Sequence, residues 1–158
     1  MKTKILLALA VILVVIQAIR PAKNLSAAEP FTGRNEITVL HPASAEVKQI
    51  LAVACYDCHS NRTRYPWYAE VQPVGWWLAR HVKDGKRHLN FSEFGAYPAK
   101  RQAKKLQEVV DELKDREMPL KSYTLTHADA RLTGEQVAAL SAWAQAAQGP
   151  GEKHADKD

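Results

Sequence analysis

The sequence predicts an all-α fold in a single domain, and three observations lead there. Apolar residues recur at helical spacing in four stretches, around Val47–Ala54, Val74–His81, Ala103–Leu113 and Val137–Ala144. Helix start and stop residues flank those stretches: Ser44, Pro73 with Gly85, and Thr133 followed by Gln136. No strand pattern precedes the only two cysteines, so a mixed α/β redox domain is not indicated. At 158 residues the chain has room for one ordinary core.

The first element is an export segment. Lys2 and Lys4 precede an apolar run from Ile5 to Ile16 that continues across Gln17 to Ala18 and Ile19, a charged end followed by a hydrophobic stretch. Residues 1–28 are therefore a signal peptide or a membrane anchor. Ser26-Ala27-Ala28 before Glu29 offers small residues for cleavage. Retention would make a short span beside the roughly 20 residues a bilayer needs, and would put Arg20-Pro21-Ala22-Lys23 at the outer interface. The same segment explains the charge. It holds Lys2, Lys4, Arg20 and Lys23, four of the 22 basic residues, and none of the 17 acidic ones, so the rest balances at 18 against 17. A basic surface for nucleic acid is not expected.

Residues 29–43, rich in Pro, Gly, Asn and polar groups without period, read as a tether. Ser44 then caps a helix whose Val47, Ile50, Leu51 and Ala54 share a face, with Glu46 in its first turn. That helix leads into Cys55-Tyr56-Asp57-Cys58-His59. Two thiols two residues apart, followed at once by an imidazole, are the spacing for covalent haem attachment: the sulfurs add to the two vinyl groups and His59 ligates the iron. A redox disulfide wants a βαβ context, and structural zinc wants a second ligand pair, neither of which is found. The expected cofactor is one haem c with its iron.

Nine of the twelve aromatic residues fall between Tyr56 and Tyr97. Their wide faces suit a flat apolar cofactor, so Trp67, Trp76 and Trp77 are expected to line its pocket, although for any single ring ordinary core is the simpler reading. Pro73 opens a helix to about Asp84, stopped by Gly85, with Val74, Trp77, Leu78 and His81 on one face. His81 is thus a rival for the second axial position, and His88 and His127, in expected loops, are weaker rivals. Arg62, Arg64 and Arg80 are candidates for pairing with propionates.

A third helix runs from about Ala99 to Asp115, burying Ala103, Leu106, Val109, Val110 and Leu113 and turning Lys100, Arg101, Lys104, Lys105 and Lys114 to water. The lysines read as a solvated face, or alternatively as a docking patch for an acidic redox partner. Met118 follows, the only methionine apart from the initiator. Pro119 disfavours helix at Met118 and holds its sulfur on an extended loop, where it is the expected second axial ligand rather than core filler. Thr133 and Gln136 form a capping box for the last helix, with Val137, Leu140, Trp143 and Ala144 apolar, and the charged residues 149–158 read as a disordered tail.

With these pieces assembled, the chain resembles the bacterial haem-binding domain family, small relatives of the class I c-type cytochromes. The resemblance is carried by Arg20-Pro21-Ala22-Lys23-Asn24, the Cys55–Asn61 stretch, Tyr65-Pro66-Trp67-Tyr68, Trp76-Trp77-Leu78 with His81, Leu89-Asn90-Phe91-Ser92, and Met118-Pro119-Leu120 with Tyr123. It implies a cytochrome c-like helical domain over residues 44–148 around one haem, with the N-terminal segment kept as a tether on the periplasmic side of the inner membrane; cleavage would instead leave a soluble periplasmic protein. The expected role is electron transfer rather than catalysis, with an unidentified redox partner. The alternatives are a peroxidase-like enzyme or gas sensor with an open or His-ligated iron, and a haem-carrying subunit of a larger complex.

Overall fold

Residues 1–27 and 31–149 are described by a computed structural model, and among them every regular element is helical. The α-helices are α1 (Lys2–Ile16), α2 (Ile37–Leu40), α3 (Ala45–Ala54), α4 (Tyr56–His59), α5 (Val74–His88), α6 (Ala99–Lys114), α7 (Lys121–Thr124) and α8 (Gly134–Ala147). Short 3-10 turns at Trp67–Glu70, Phe91–Ala96 and Ala128–Ala130 connect them. The expected tail beyond Gly149 and the Ala28–Glu29 cleavage point lie outside the described residues.

The core forms where α8 packs on both α3 and α6. Val47, Ile50 and Leu51 of α3, Leu106, Val110 and Leu113 of α6, and Leu140 and Ala144 of α8 are buried there, with Phe91 and Phe94 beneath them. The helix ends follow their side-chain chemistry. Ser44 Oγ accepts the Val47 backbone N–H at 3.1 Å, and the Thr133–Gln136 capping box is complete in both directions.

Two expected boundaries move. The helix that Gly85 was to end continues to His88, so α5 carries Lys86, Arg87 and His88 in its last turn, where basic side chains suit the carbonyl end. His88 is therefore helical rather than in a loop. Of the stretch 29–43, expected as a tether, the described residues 31–43 enter the core: Ile37 is fully buried, and Glu36 is 1 % exposed. The Tyr56 hydroxyl donates to Glu36 Oε1, and the Tyr56 ring is packed edge-on against Phe31 and Phe91.

Burial raises the Glu36 carboxyl above its ordinary 4.5, against the opposing hydrogen bond from Tyr56. A folded-state pKa above the unfolded one means the native protein holds the proton longer, so stability falls as pH rises from about the ordinary carboxylate value through the raised one. Glu36→Gln should therefore unfold at higher denaturant than the parent at neutral pH, and the two curves should converge below about pH 4. Urea titrations of the holoprotein at several pH values check this.

Before α2 the chain is strapped to the domain. Gln17 Oε1 accepts the Gln72 N–H at 2.8 Å and its Nε2 donates to Gln72 O at 3.2 Å. Trp76 Nε1 donates to Ile19 O at 2.7 Å, and Arg20 and Lys23 both pair with Glu70. Asn24 donates to Ser60 O and Thr63 Oγ1 and receives Lys86 Nζ, while Thr63 N–H donates back to Asn24 O. An isolated antiparallel bridge joins Leu25 to Arg62. Residues 17–27 thus complete the surface behind the Cys55–His59 turn. Helix α1 beyond them has no buried residue, and among the described residues no helix is long and apolar enough to cross a membrane.

Candidate functional site

The Cys55–His59 motif is a turn wedged between helices. Cys55 closes α3, its N–H bonded to Leu51 O at 3.0 Å, and opens α4, whose last residue is His59. Helix α4 lies against α5 at Gly85. A methyl group at position 85 would come 2.7 Å from the Cys58 carbonyl oxygen and 3.2 Å from its Cβ, so only hydrogen at that position lets the two backbones meet. Gly85 is thus a contact residue inside a helix rather than a helix stop.

This packing leaves a cavity of about 470 Å³ with the motif on its wall. That is within the roughly 300–1,000 Å³ range of small-molecule and cofactor pockets. Cys55, Cys58 and His59 line it together with His81, His88 and Met118; Lys105 and Glu112 belong to the same wall. His59 Nδ1 lies 3.0 Å from Leu89 O. A carbonyl only accepts, so the ring carries its proton on Nδ1 and Nε2 keeps its lone pair. Burial also lowers the His59 pKa, which favours the neutral ring. A neutral imidazole oriented through Nδ1 is the usual state of a metal-ligating histidine.

The thiols have the opposite tendency. Burial pushes Cys55 up to about 12, with Cys58 adding to the shift, and Cys58 up to about 11, with Asp57 adding to it. Both are protonated at neutral pH, which runs against a thioredoxin-like redox pair, whose attacking thiol is acidified. Thiols beside a neutral imidazole on one wall, with a thioether in the same cavity, are a donor set that fits a covalently held haem.

Asp57, between the cysteines, is buried and fully engaged. Its Oδ1 accepts the Arg64 N–H at 2.8 Å, its carboxylate pairs with the guanidinium at 3.2 Å, and Tyr123 Oη donates to its Oδ2 at 2.7 Å. Tyr123 belongs to α7, the element entered directly from Met118-Pro119-Leu120. The motif and the methionine loop are thereby tied to each other.

Several expected site residues lie elsewhere. Trp67 is 80 % exposed, Trp76 is spent on Ile19 O, and Trp77 meets His81 with the rings tilted and 4.2 Å between ring centres; none of the three is on the cavity wall. Arg62 Nη1 donates to Ala27 O and Arg64 serves Asp57, so neither reaches the cavity. The cationic wall residue is Lys105, whose side chain is only 14 % exposed and pairs with Glu108. It was expected to face water with the other lysines. Its position four residues before Val109, at the border of the apolar stripe, was the signal for it.

A family model described as Haem-binding domain matches residues 11–146. No curated protein and no solved structure matches the chain.

Proposed function

The chain belongs to the haem-binding domain family, and from that premise we propose that it holds one haem c on Cys55 and Cys58, with iron between His59 and Met118, and carries single electrons outside the cytoplasm. The observation that carries this reading is the His59 Nδ1–Leu89 hydrogen bond in a wall shared with both cysteines and Met118. Bound haem would supply a reversible one-electron iron couple. Each thiol would add across one vinyl group, sulfur to the inner carbon and hydrogen to the outer one, with no net oxidation or reduction. His59 is aligned by Leu89 O and kept neutral by burial, Met118 offers a thioether from a loop held by Tyr123 and Asp57, and Lys105 offers a cation to a propionate. Held by both His59 and Met118, the iron would have no open position, which favours electron transfer over catalysis. The all-round apolar α1, strapped down through residues 17–27, supports retention as an anchor on the outer face of the cytoplasmic membrane.

A second reading places His81 opposite His59. His81 Nδ1 lies 2.9 Å from Trp77 O, a contact that leaves Nε2 of the ring directed away from that carbonyl, and the ring borders the same cavity. The two readings separate cleanly. Reduced-minus-oxidised spectra with intact mass report the covalent haem and the N-terminus. The weak sulfur-to-iron band at the red end of the oxidised spectrum should be present in the parent, vanish in Met118→Ala and survive in His81→Ala. If the parent lacks it, methionine ligation is wrong; if the reduced parent also binds carbon monoxide readily at neutral pH, the carrier role is wrong with it.

A further inference from the structure

The N-terminal strap fixes more than the back of the motif. All of the tie points nearest α1 fall between Glu70 and Trp76: Arg20 and Lys23 on Glu70, Gln17 on the backbone of Gln72, Ile19 O on Trp76. The apolar helix therefore meets the domain without slack. If α1 lies in a bilayer to its last turn, Gln72 sits one hydrogen bond from where the chain leaves it.

The residues around those tie points carry unusual exposed apolar surface. Trp67 is 80 % exposed, Val71 45 %, Val74 38 % and Trp77 45 %. Large apolar side chains gathered in one short stretch mark a contact surface more often than scattered single ones do. Tryptophan in particular is favoured at the level of lipid headgroups, where an apolar ring and a polar N–H are both satisfied. Val74 and Trp77, three apart on α5, share a side of that helix, and the next turn of the same side brings His81 to the cavity.

We infer that the Trp67–Trp77 stretch is a bilayer-contact face: it rests in the headgroup region beside the emerging α1, so the domain stands on the membrane in one orientation with the His81 side of its cavity next to lipid. The inference rests on the anchored form of the function proposed above. Helix α1 by itself is short for a span, since its fifteen residues rise only about 22 Å at ~1.5 Å each. A short anchor is accommodated by bilayer thinning and by lysine snorkelling, both of which draw the domain onto the surface.

The test uses the full holoprotein in nanodiscs of phosphatidylethanolamine and phosphatidylglycerol. The photo-crosslinker p-benzoylphenylalanine is placed in turn at Trp67, Val71, Val11 within α1, and Glu135, an exposed residue at the start of α8 that packs with α3 and α6. Mass spectrometry after illumination should find lipid adducts at 67, 71 and 11 and none above background at 135. Adducts at 11 but not at 67 or 71 overturn the inference and leave the anchor standing. Absence at 11 removes the anchor and the inference together. Adducts at 67 and 71 to a second protein chain instead of lipid also overturn it. The haem spectrum of each variant reports folding, and should position 71 disturb it, Val74 takes its place.

Discussion

Gly85→Ala should destabilise the holoprotein by up to about 2 kcal/mol and lower the yield of haem-loaded protein, although alanine is the better helix former. In a free helix the change would stabilise by about 0.8–1.0 kcal/mol, because glycine sacrifices more backbone entropy on folding. Here the new methyl meets backbone, the Cys58 carbonyl oxygen at 2.7 Å and its carbon at 3.2 Å, which cannot swing aside as a side-chain tip would. Forcing α4 away from α5 carries an overpacking cost of about 1–3 kcal/mol, enough to reverse the propensity gain. The displaced element is the one bearing Cys58 and His59, so the loss should appear in covalent haem content as well as in the urea midpoint. Gly134→Ala is the control. Position 134 is also helical, and nothing lies within 4 Å of where its Cβ would be, so it should be neutral or stabilising by about 0.5 kcal/mol. Equal behaviour of the two variants would show that the α4–α5 contact is not close at Gly85.

That glycine also shows where sequence patterns stop informing. A glycine after a run of helical residues reads as a C-terminal stop, and the same residue is required where two backbones touch; the local pattern is identical. The basic run Lys86-Arg87-His88 was the better marker of the real helix end. Periodicity placed α3, α6 and α8 and their buried stripes because those helices are long enough to repeat. It missed α2, whose four residues hold no repeat, although Ile37 is among the most buried side chains. The motif thiols, His59, His81 and Met118 were legible as candidates because spacing and scarcity single them out, and all of them reach one cavity. The tryptophans and arginines were not, since an amphipathic side chain near a site in sequence carries no record of which way it turns. Trp76 and Arg62 turned to the strap, and Trp67 to the outside.

Asp57→Ala is expected to cost about 2–3 kcal/mol, most of it through Arg64 rather than Tyr123. The buried carboxylate accepts from the Arg64 backbone N–H, from its guanidinium and from the Tyr123 hydroxyl. Removing it strands a backbone donor, worth about 1–3 kcal/mol when buried without a partner. The guanidinium is 56 % exposed and regains water, so Arg64→Ala, which keeps the backbone contact, should cost under about 1 kcal/mol. The tyrosine hydroxyl has one proton and a second acceptor ready, Val53 O at 3.1 Å, to which it turns once Asp57 is gone. Tyr123→Phe, which leaves Asp57 bonded to Arg64, should therefore cost only about 1 kcal/mol. Its larger effect should be on the loop that precedes α7. With the Tyr123 tie removed, the Met118 segment is held by less, and the red-end sulfur-to-iron band should weaken or be lost at lower temperature than in the parent while the covalent haem stays in place. A double-mutant cycle of Asp57→Ala and Tyr123→Phe should be non-additive in that band and nearly additive in the part of the stability that belongs to Arg64. If Tyr123→Phe leaves the band unchanged in strength and thermal range, the motif does not steady the methionine through this hydrogen bond, and Asp57 serves the local fold alone.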